Sequence, residues 1–142
     1  MIRKLNNDDL DHVMKIWLEA NITAHSFIPQ SYWNKQFGYV RKVIPEAEIY
    51  IYENVQEIIG FIGLSNNYIA GLFVAPRSQS EGIGKQLLDY IKGFRPELYL
   101  KVYRKNHRAV RFYERESFII QSETIDPATG EKEFLMKFYG CK

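Results

Sequence analysis

The sequence has little cysteine, little net charge and no long apolar run. Its one cysteine, Cys141, has no partner for a disulfide within the chain. The formal net charge is +2 over 142 residues, which provides no general attraction to nucleic acid. No apolar run approaches the length of a membrane span, and Met1 leads into polar residues rather than a signal peptide. We therefore expect a cytoplasmic protein with no metal site and no nucleic-acid or membrane partner.

Apolar and aromatic residues, by contrast, are plentiful. Apolar residues make up 46% of the chain and aromatic residues 15%, including ten tyrosines. This composition is that of a globular protein, and the tyrosines favour strand-rich structure with an aromatic-lined cleft. The length predicts one domain over residues 1–142.

The spacing of apolar residues alternates between a helical and a strand period along the chain. The predicted elements are a strand at 2–5, a helix capped by Asn7, an irregular loop at 21–30, a helix at 31–43, strands at 48–53, 57–64 and 68–74, a helix at 82–94, a strand at 98–103, a helix capped by Asn106 and ending at Glu116, and strands at 118–125 and 134–138. Turns are expected at residues 54–56 and 66–67.

The resulting order is β-α-α-β-β-β-α-β-α-β-β, which predicts an α/β fold. The strands at 68–74 and 98–103 are joined through a helix, so they should be parallel, while hairpin neighbours should be antiparallel. We expect a mixed central sheet of about seven strands with helices on both faces.

The segment Gln79-Ser80-Glu81-Gly82-Ile83-Gly84-Lys85 connects an apolar strand to an amphipathic helix. The first turn of a helix has unpaired N–H groups and a partial positive charge, and glycine allows a phosphate to come close to that backbone. The segment therefore predicts an anion site at the start of the helix.

Three phosphate-binding patterns compete for this segment. A Walker P-loop requires Gly where Gln79 stands and Ser or Thr where Gln86 stands, so it is excluded. A dinucleotide fingerprint requires a small residue where Leu87 stands, so it fails too. The pattern Gln/Arg-x-x-Gly-x-Gly/Ala after a strand that ends in Val-x-Pro fits at every position.

A second motif, Asn106-His107-Arg108-Ala109-Val110-Arg111-Phe112-Tyr113, follows about two dozen residues after the glycines. On a helix Asn106, Ala109 and Tyr113 are spaced i, i+3 and i+7, so they share one face. Small Ala109 leaves room for a ligand, and Tyr113 can extend into a cleft.

With these two motifs in this order, the chain resembles the GNAT superfamily (Gcn5-related N-acetyltransferases), in particular its short bacterial single-domain members. The resemblance is strongest over residues 68–118 and follows the element order elsewhere. It implies an enzyme that transfers an acetyl group from acetyl-CoA directly to a primary amine, either of a protein (lysine or N-terminus) or of a small molecule. It leaves open a monomer or a homodimer.

The resemblance also assigns site residues. A backbone N–H near Phe73 and Val74 would stabilise the reacting carbonyl oxygen, and Tyr113 would donate a proton to the departing thiolate. The residues implied for acetyl-CoA binding are Phe73, Val74, Gln79, Ser80, Glu81, Gly82, Ile83, Gly84, Lys85, Asn106, Ala109 and Phe112.

Two positions depart from the family pattern. Ser117 stands where the family usually has glycine, and a left-handed serine there would cost about 1 kcal/mol. Lys101 stands where several members have a glutamate that acts as general base, so this carboxylate is missing. The candidates for a replacement base are His25, Glu19 and a water held by Ser65 or Asn66.

The acceptor side is assigned less specifically, since only its aromatic character is visible. The residues expected to line it are Glu19, Phe27, Tyr32, Trp33 and Ser65. Two other functions stay open: a catalytically weak acyl-CoA-binding sensor or interaction module, because of Lys101, and a nucleic-acid-binding module, because of the basic run from Lys101 to Arg111.

Overall fold

The computed structural model describes residues 1–55 and 57–140, and it confirms the predicted α/β fold and element order. Gln56 of the predicted hairpin turn and Cys141 lie outside the described residues. The elements are β1 (Ile2–Lys4), α1 (Leu10–Ala24), α2 (Gln30–Val43), β2 (Glu48–Glu53), β3 (Ile58–Ser65), β4 (Tyr68–Val74), α3 (Ile83–Lys92), β5 (Glu97–Tyr103), α4 (His107–Arg115), β6 (Ile119–Ile125) and β7 (Lys132–Tyr139), with short 3-10 turns at Asn7–Asp9, Ile44–Glu46 and Pro76–Ser78.

The seven strands form one sheet in the order β1-β2-β3-β4-β5-β7-β6. The β4–β5 pair is parallel and the other pairs are antiparallel, as predicted. Helices α3 and α4 pack on one face, and α1 and α2 pack on the other. Within the described chain no helix is both long and apolar enough to cross a membrane.

Helix α3 shows why the spacing of apolar residues predicted the fold. Its buried residues Ile83, Leu87, Leu88 and Ile91 recur at helical spacing, and the last three have no exposed surface. Burying each such side chain contributes roughly 1.5–3 kcal/mol, which fixes this face of α3 against the sheet. The helix that follows the segment from Gln79 to Gly82 is therefore held rigidly.

The first helix is longer than predicted. We expected an irregular loop over residues 21–30, but α1 continues to Ala24 and only residues 25–29 separate it from α2. Asn21, a residue that usually favours turns, is buried here and its Nδ2 donates to the carbonyl of Trp17 at 2.9 Å. This tertiary burial overrides the local preference.

The predicted cap at Asn7 is also displaced by one residue. Asn6 begins the 3-10 turn, and its N–H donates to the carboxylate of Asp9 at 2.7 Å. Arg3 on β1 donates to the same carboxylate at 2.8 Å, and this hydrogen bond is the main reason that the pKa of Asp9 is lowered. Asp9 therefore ties β1 to the start of α1.

Ser117 adopts the left-handed conformation that its position predicts, with φ of 75°. The N–H of Phe118 donates to the carbonyl of Tyr113, and that of Ser117 to the carbonyl of Glu114. These two bonds form a Schellman motif, which ends α4 and fixes the C-terminal turn that carries Tyr113.

Candidate active site

The sheet opens between its two parallel strands. β4 and β5 pair only at Tyr68–Tyr99 and Ile69–Leu100, so the described chain places no strand beside Leu72–Val74 on that edge. On the other edge of β4 the register with β3 shifts between Gly63 and Leu64, which leaves Ala70 as an unpaired bulge. The bulge and the lost pairing leave a gap in the middle of the sheet.

One backbone donor of β4 points into this gap. The N–H of Ala75 donates to the carbonyl of Ile59 at 2.8 Å, toward β3. Successive N–H groups of a strand point to opposite edges, so the N–H of Val74 points away from β3. Gln79 Nε2 donates to the carbonyl of Val74 at 3.3 Å, which lies at that same edge. The N–H of Val74 is thus available to an oxygen atom in the gap.

The loop after β4 presents a run of free N–H groups. Ser80 and Gly82 are both left-handed, with φ of 69° and 81°, and α3 begins at Ile83. No oxygen in the described chain accepts a hydrogen bond from the backbone N–H of any residue from Ser80 to Lys85. Consecutive free donors at a helix start bind phosphate oxygens well.

The two glycines of this loop have different roles. A Cβ on Gly82 would meet nothing within 4 Å, so it is the positive φ that requires glycine there. A Cβ on Gly84 would lie 3.5 Å from Phe112 of α4, which is an ordinary contact. Gly84 therefore keeps the space between α3 and α4 open rather than relieving strain.

The side chain of Arg108 on α4 contacts the first residues of this loop. Its guanidinium donates to Gln79 Oε1 at 2.9 Å and to Ser80 Oγ at 2.6 Å. Lys85 lies nearby and pairs with Asp89 and Glu116, both at 3.2 Å. Two carboxylates thus compensate the charge of Lys85, and it is the free N–H groups together with the Arg108 guanidinium that favour an anionic ligand.

Tyr113 lies on the inner face of α4. It is only 8% exposed, and burial raises its pKa well above the ordinary value for a phenol. Its hydroxyl forms no hydrogen bond with any residue of the described chain, and the side chain lines the cleft below the loop. Tyr113 is therefore protonated at neutral pH and has a proton to donate.

These features line one cleft of about 430 Å³. The cleft includes every residue predicted for acetyl-CoA binding except Glu81, which is exposed on the outer side of the loop. Residues of α1 that the motifs did not indicate, Ala20, Asn21 and Ala24, form the opposite wall with His25.

A family model described as acetyltransferase (GNAT) family matches residues 10–118. The chain belongs to this family. It is an N-acetyltransferase, and the acetyl donor of the family is acetyl-CoA.

The similar proteins agree with this assignment. The chain is 34% identical over 122 residues to the peptidyl-lysine N-acetyltransferase YiaC of Escherichia coli, with 84% of each protein covered. It is 28% identical to the peptidyl-lysine N-acetyltransferase YjaB of the same organism, over 88% of this chain and 87% of YjaB. The solution structure of apo YjaB superposes with a TM-score of 0.88 at 24% identity, over 99% of this chain and 98% of that one.

A further fold neighbour has been solved with coenzyme A bound. The PaiA N-acetyltransferase of Thermoplasma acidophilum has a TM-score of 0.84 at 22% identity, and 98% of both chains is covered. In the present GNAT chain the residues fit such a ligand, because the free N–H groups of residues 80–85 and the Arg108 guanidinium face the same cleft.

On the acceptor side, His25 lies among aromatic rings at the end of α1. Its ring stacks on Trp33 at 5.2 Å and meets Tyr103 at 5.2 Å and Phe27 at 5.7 Å, measured between ring centroids. Desolvation lowers its pKa to about 4, and the carbonyl of Asn21 opposes this only in part. His25 is therefore neutral at pH 7.

The hydrogen bonds of Asn106 define the state of His25. Asn106 Oδ1 accepts from the N–H of Ala109 as the cap of α4, so its Nδ2 faces His25 Nε2, at 3.3 Å. Nε2 must then be the acceptor, and the proton resides on Nδ1, which is buried and forms no well-aligned hydrogen bond within the described residues, the carbonyl of Asn21 being the group that acts on it. His25 thus joins α1 to α4 across the cleft.

The other residues predicted for the acceptor side divide into two groups. Phe27, Tyr32 and Trp33 form an aromatic cluster with His25, with ring centroids of Tyr32 and Trp33 4.9 Å apart, but His25 alone of this cluster lines the cleft. Glu19 is half-buried on α1 and Ser65 is exposed, and neither lines the cleft. Ser65 pairs with Tyr68 at the opposite end of β4 from Val74, so the structure does not bring it or Asn66 to the gap.

The structure adds residues that the motifs did not indicate. Arg108 lies within the second motif, but its contact with Gln79 and Ser80 depends on how α4 packs against the loop. Tyr103 donates to Asp126 at 2.6 Å and contacts His25, and Glu133 pairs with Tyr103 across the strands. No sequence motif marks Tyr103, Asp126 or Glu133, since β5, the β6–β7 hairpin loop and β7 meet only in the folded sheet.

Proposed function

We propose that this GNAT chain transfers the acetyl group of acetyl-CoA to the side-chain amine of lysine in a protein or peptide. YiaC and YjaB, the curated relatives described above, are both named peptidyl-lysine N-acetyltransferases. The observation that carries the proposal is the gap between β4 and β5, because the residues proposed for acetyl-CoA and His25 of α1 line one cleft there.

On the donor side, the N–H groups of residues 80–85 and the guanidinium of Arg108 hold the diphosphate. Acetyl-CoA supplies the activated acetyl group as a thioester. The Val74 N–H donates to the thioester carbonyl oxygen, where negative charge develops as the amine attacks. Removing one such donor typically costs 10²–10³-fold in rate in other acyl-transfer enzymes.

Tyr113 then gives its proton to the departing sulfur. The phenol suits this role because burial keeps it protonated and its hydroxyl has no other partner in the described chain. Asn106 and His25 position the start of α4, and so Tyr113, against α1.

The experiment offers the purified protein acetyl-CoA with three acceptors: an N-terminally blocked lysine peptide, the same peptide with arginine for lysine and a free N-terminus, and spermidine. CoA release and peptide mass are measured together. The proposal predicts acetylation of the blocked lysine peptide in preference to the other two. Acetylation only of the free N-terminus or only of spermidine contradicts it.

The matched control is Tyr113→Phe, which removes one oxygen from a buried ring. We expect kcat to fall by roughly 10²-fold, as for other proton donors, with acetyl-CoA binding retained. Lys101 favours one alternative, a module that binds acyl-CoA without turnover. Binding of acetyl-CoA by the wild type with no CoA release for any acceptor would support that alternative.

A further inference from the structure

Strand β5 has Lys101 where several family members have a glutamate, but the neighbouring strand β7 carries a carboxylate, that of Glu133. In the β5–β7 register Lys101 pairs with Leu135, and Tyr103 pairs with Glu133. Side chains alternate between the two faces of a strand, so Lys101, Tyr103 and Glu133 project from the same face. Leu100 and Val102 project from the other face into the core beneath α3 and α4. Glu133 thus lies on the acceptor face, one strand away from position 101.

Contacts connect this carboxylate to the cleft. Tyr103 pairs with Glu133 and its ring lies 5.2 Å from that of His25, which lines the cleft together with Val74. Because β5 separates from β4 after Leu100, Tyr103 stands at the edge of the gap. Glu133 does not itself line the cleft; it lies beside Tyr103 on the sheet face that α1 and α2 cover, and Tyr103 contacts the cleft residue His25.

The charge of Glu133 acts on nearby tyrosines. The pKa of Tyr32 is raised by burial and by the negative charges of Asp126 and Glu133, and that of Tyr68 by burial and then by Glu133. The Glu133 charge thus acts on both phenols, while the third tyrosine, Tyr103, pairs with Glu133 in the sheet and is bonded to Asp126. A half-buried carboxylate among aromatic rings suits an ammonium on an aliphatic stem, since the rings pack on the stem and attract the cation.

The Glu133 carboxylate is available to bind an ammonium group. Its carboxylate has no hydrogen bond or ion pair with any residue in the described ranges, whereas Glu131 on the same hairpin pairs with Lys105 at 3.2 Å. Burial, aided by Asp126, raises the pKa of Glu133, and Lys101 opposes this in part. Opposite it on β6 stands uncharged Thr124. A base with a raised pKa takes a proton more readily than an ordinary carboxylate.

We propose that Glu133 binds the ammonium of the acceptor and takes its proton, in place of the missing carboxylate at position 101. The inference rests on the proposed function. The ammonium N–H bond breaks and its proton moves to Glu133, leaving a neutral amine. Its lone pair forms the N–C bond at the thioester carbonyl as the C–S bond breaks. The sulfur takes a proton from Tyr113, and the amide nitrogen loses one, through water, to restore the phenol. The protonated Glu133 then releases the proton it took from the ammonium to solvent, which restores the carboxylate.

The test compares the wild type with Glu133→Gln, using the blocked lysine peptide at saturating acetyl-CoA from pH 6.5 to 9.5. At pH 7.5 we expect kcat/KM for the peptide to fall by about 10²-fold. The deficit should shrink as pH rises, because the neutral fraction of an amine with a pKa of about 10.4 grows tenfold per pH unit. Acetyl-CoA affinity should be unchanged, which also shows that the variant is folded.

The matched control is Glu131→Gln. It removes a carboxylate that is two residues from Glu133 and lies outside the site, so its kcat/KM should stay within about twofold of the wild-type value. His25→Gln and Glu19→Gln test the other candidate bases in the same assay. A Glu133→Gln variant within threefold of the wild type at every pH overturns the inference, as does a loss that is equal at every pH. An inactive wild type would instead contradict the proposed function.

Discussion

The donor side and the acceptor side of the cleft are built in different ways. The loop proposed to bind the diphosphate is a continuous stretch from Gln79 to Lys85, and its donors are backbone N–H groups. The acceptor side is assembled from α1, α2, β5 and β7, which supply side chains such as His25, Tyr32, Tyr103 and Glu133. One side depends on local backbone conformation and the other on how distant segments pack.

This difference determines which substitutions disturb each side. A change in the loop alters φ and the direction of adjacent N–H groups, so it affects the donor alone. A change on the acceptor side alters desolvation and charge, so it appears as a dependence on pH. The following predictions separate the two sides.

The largest effect is expected at Gly82. Valine cannot adopt φ of 81° without strain, so Gly82→Val should turn the neighbouring N–H groups away from the diphosphate. We expect the KM for acetyl-CoA to rise by about 10²-fold, equivalent to about 2.7 kcal/mol, with the KM for the acceptor little changed. Steady-state kinetics with each substrate varied in turn measures both.

Gly130→Val is its matched control. Gly130 has φ of 75°, and a Cβ there would also meet nothing within 4 Å, but it lies in the β6–β7 turn. Both variants should lose similar stability, and only Gly82→Val should lose acetyl-CoA affinity. An equal rise in KM for both variants would show that strain, rather than the lost donors, is responsible.

A smaller effect is expected from His25 on stability. Its pKa is lowered from 6.5 to about 4 in the folded state, so between these values the unfolded chain binds more protons. The stability that neutral His25 provides is complete above pH 6.5 and is lost as pH falls toward 4. At pH 5 the loss is at most about 2 kcal/mol.

His25→Gln should remove this part of the pH dependence, because glutamine does not titrate. Urea unfolding of the wild type and the variant at pH 7 and pH 5 measures it. His12→Gln, on an exposed position of α1, is the control. The same decrease from pH 7 to pH 5 in the wild type and His25→Gln would contradict a buried neutral histidine.

The smallest effect is expected at Ser117, which touches neither substrate. Ser117→Gly relieves the left-handed strain at the end of α4, so the free energy of unfolding should rise by about 1 kcal/mol. The melting temperature should rise by roughly 4 °C. Catalysis should be unchanged, since the two bonds that end α4 come from the backbone. A lower melting temperature would mean that the serine side chain stabilises this turn.

The fold was largely predictable because its determinants are local. Apolar spacing in α3 and the alternation in β5 each place one face in the core, and the Asn66 turn has the positive φ that asparagine tolerates. The extra turn of α1 was not predictable, since Asn21 favours a helix only once it is buried against Trp17.

The sequence alone determined the donor half of this protein. We propose that Ser80 to Lys85 bind an anion, because their free N–H groups belong to consecutive residues between a strand and a helix. Only the tertiary structure decided the reaction centre at Val74 and the acceptor half. Val74 became a free donor because β5 separates from β4, and Glu133 reached the acceptor face because its register with Tyr103 places it there. Neither property belongs to the residue itself, since both arise from the strand that lies, or does not lie, beside it.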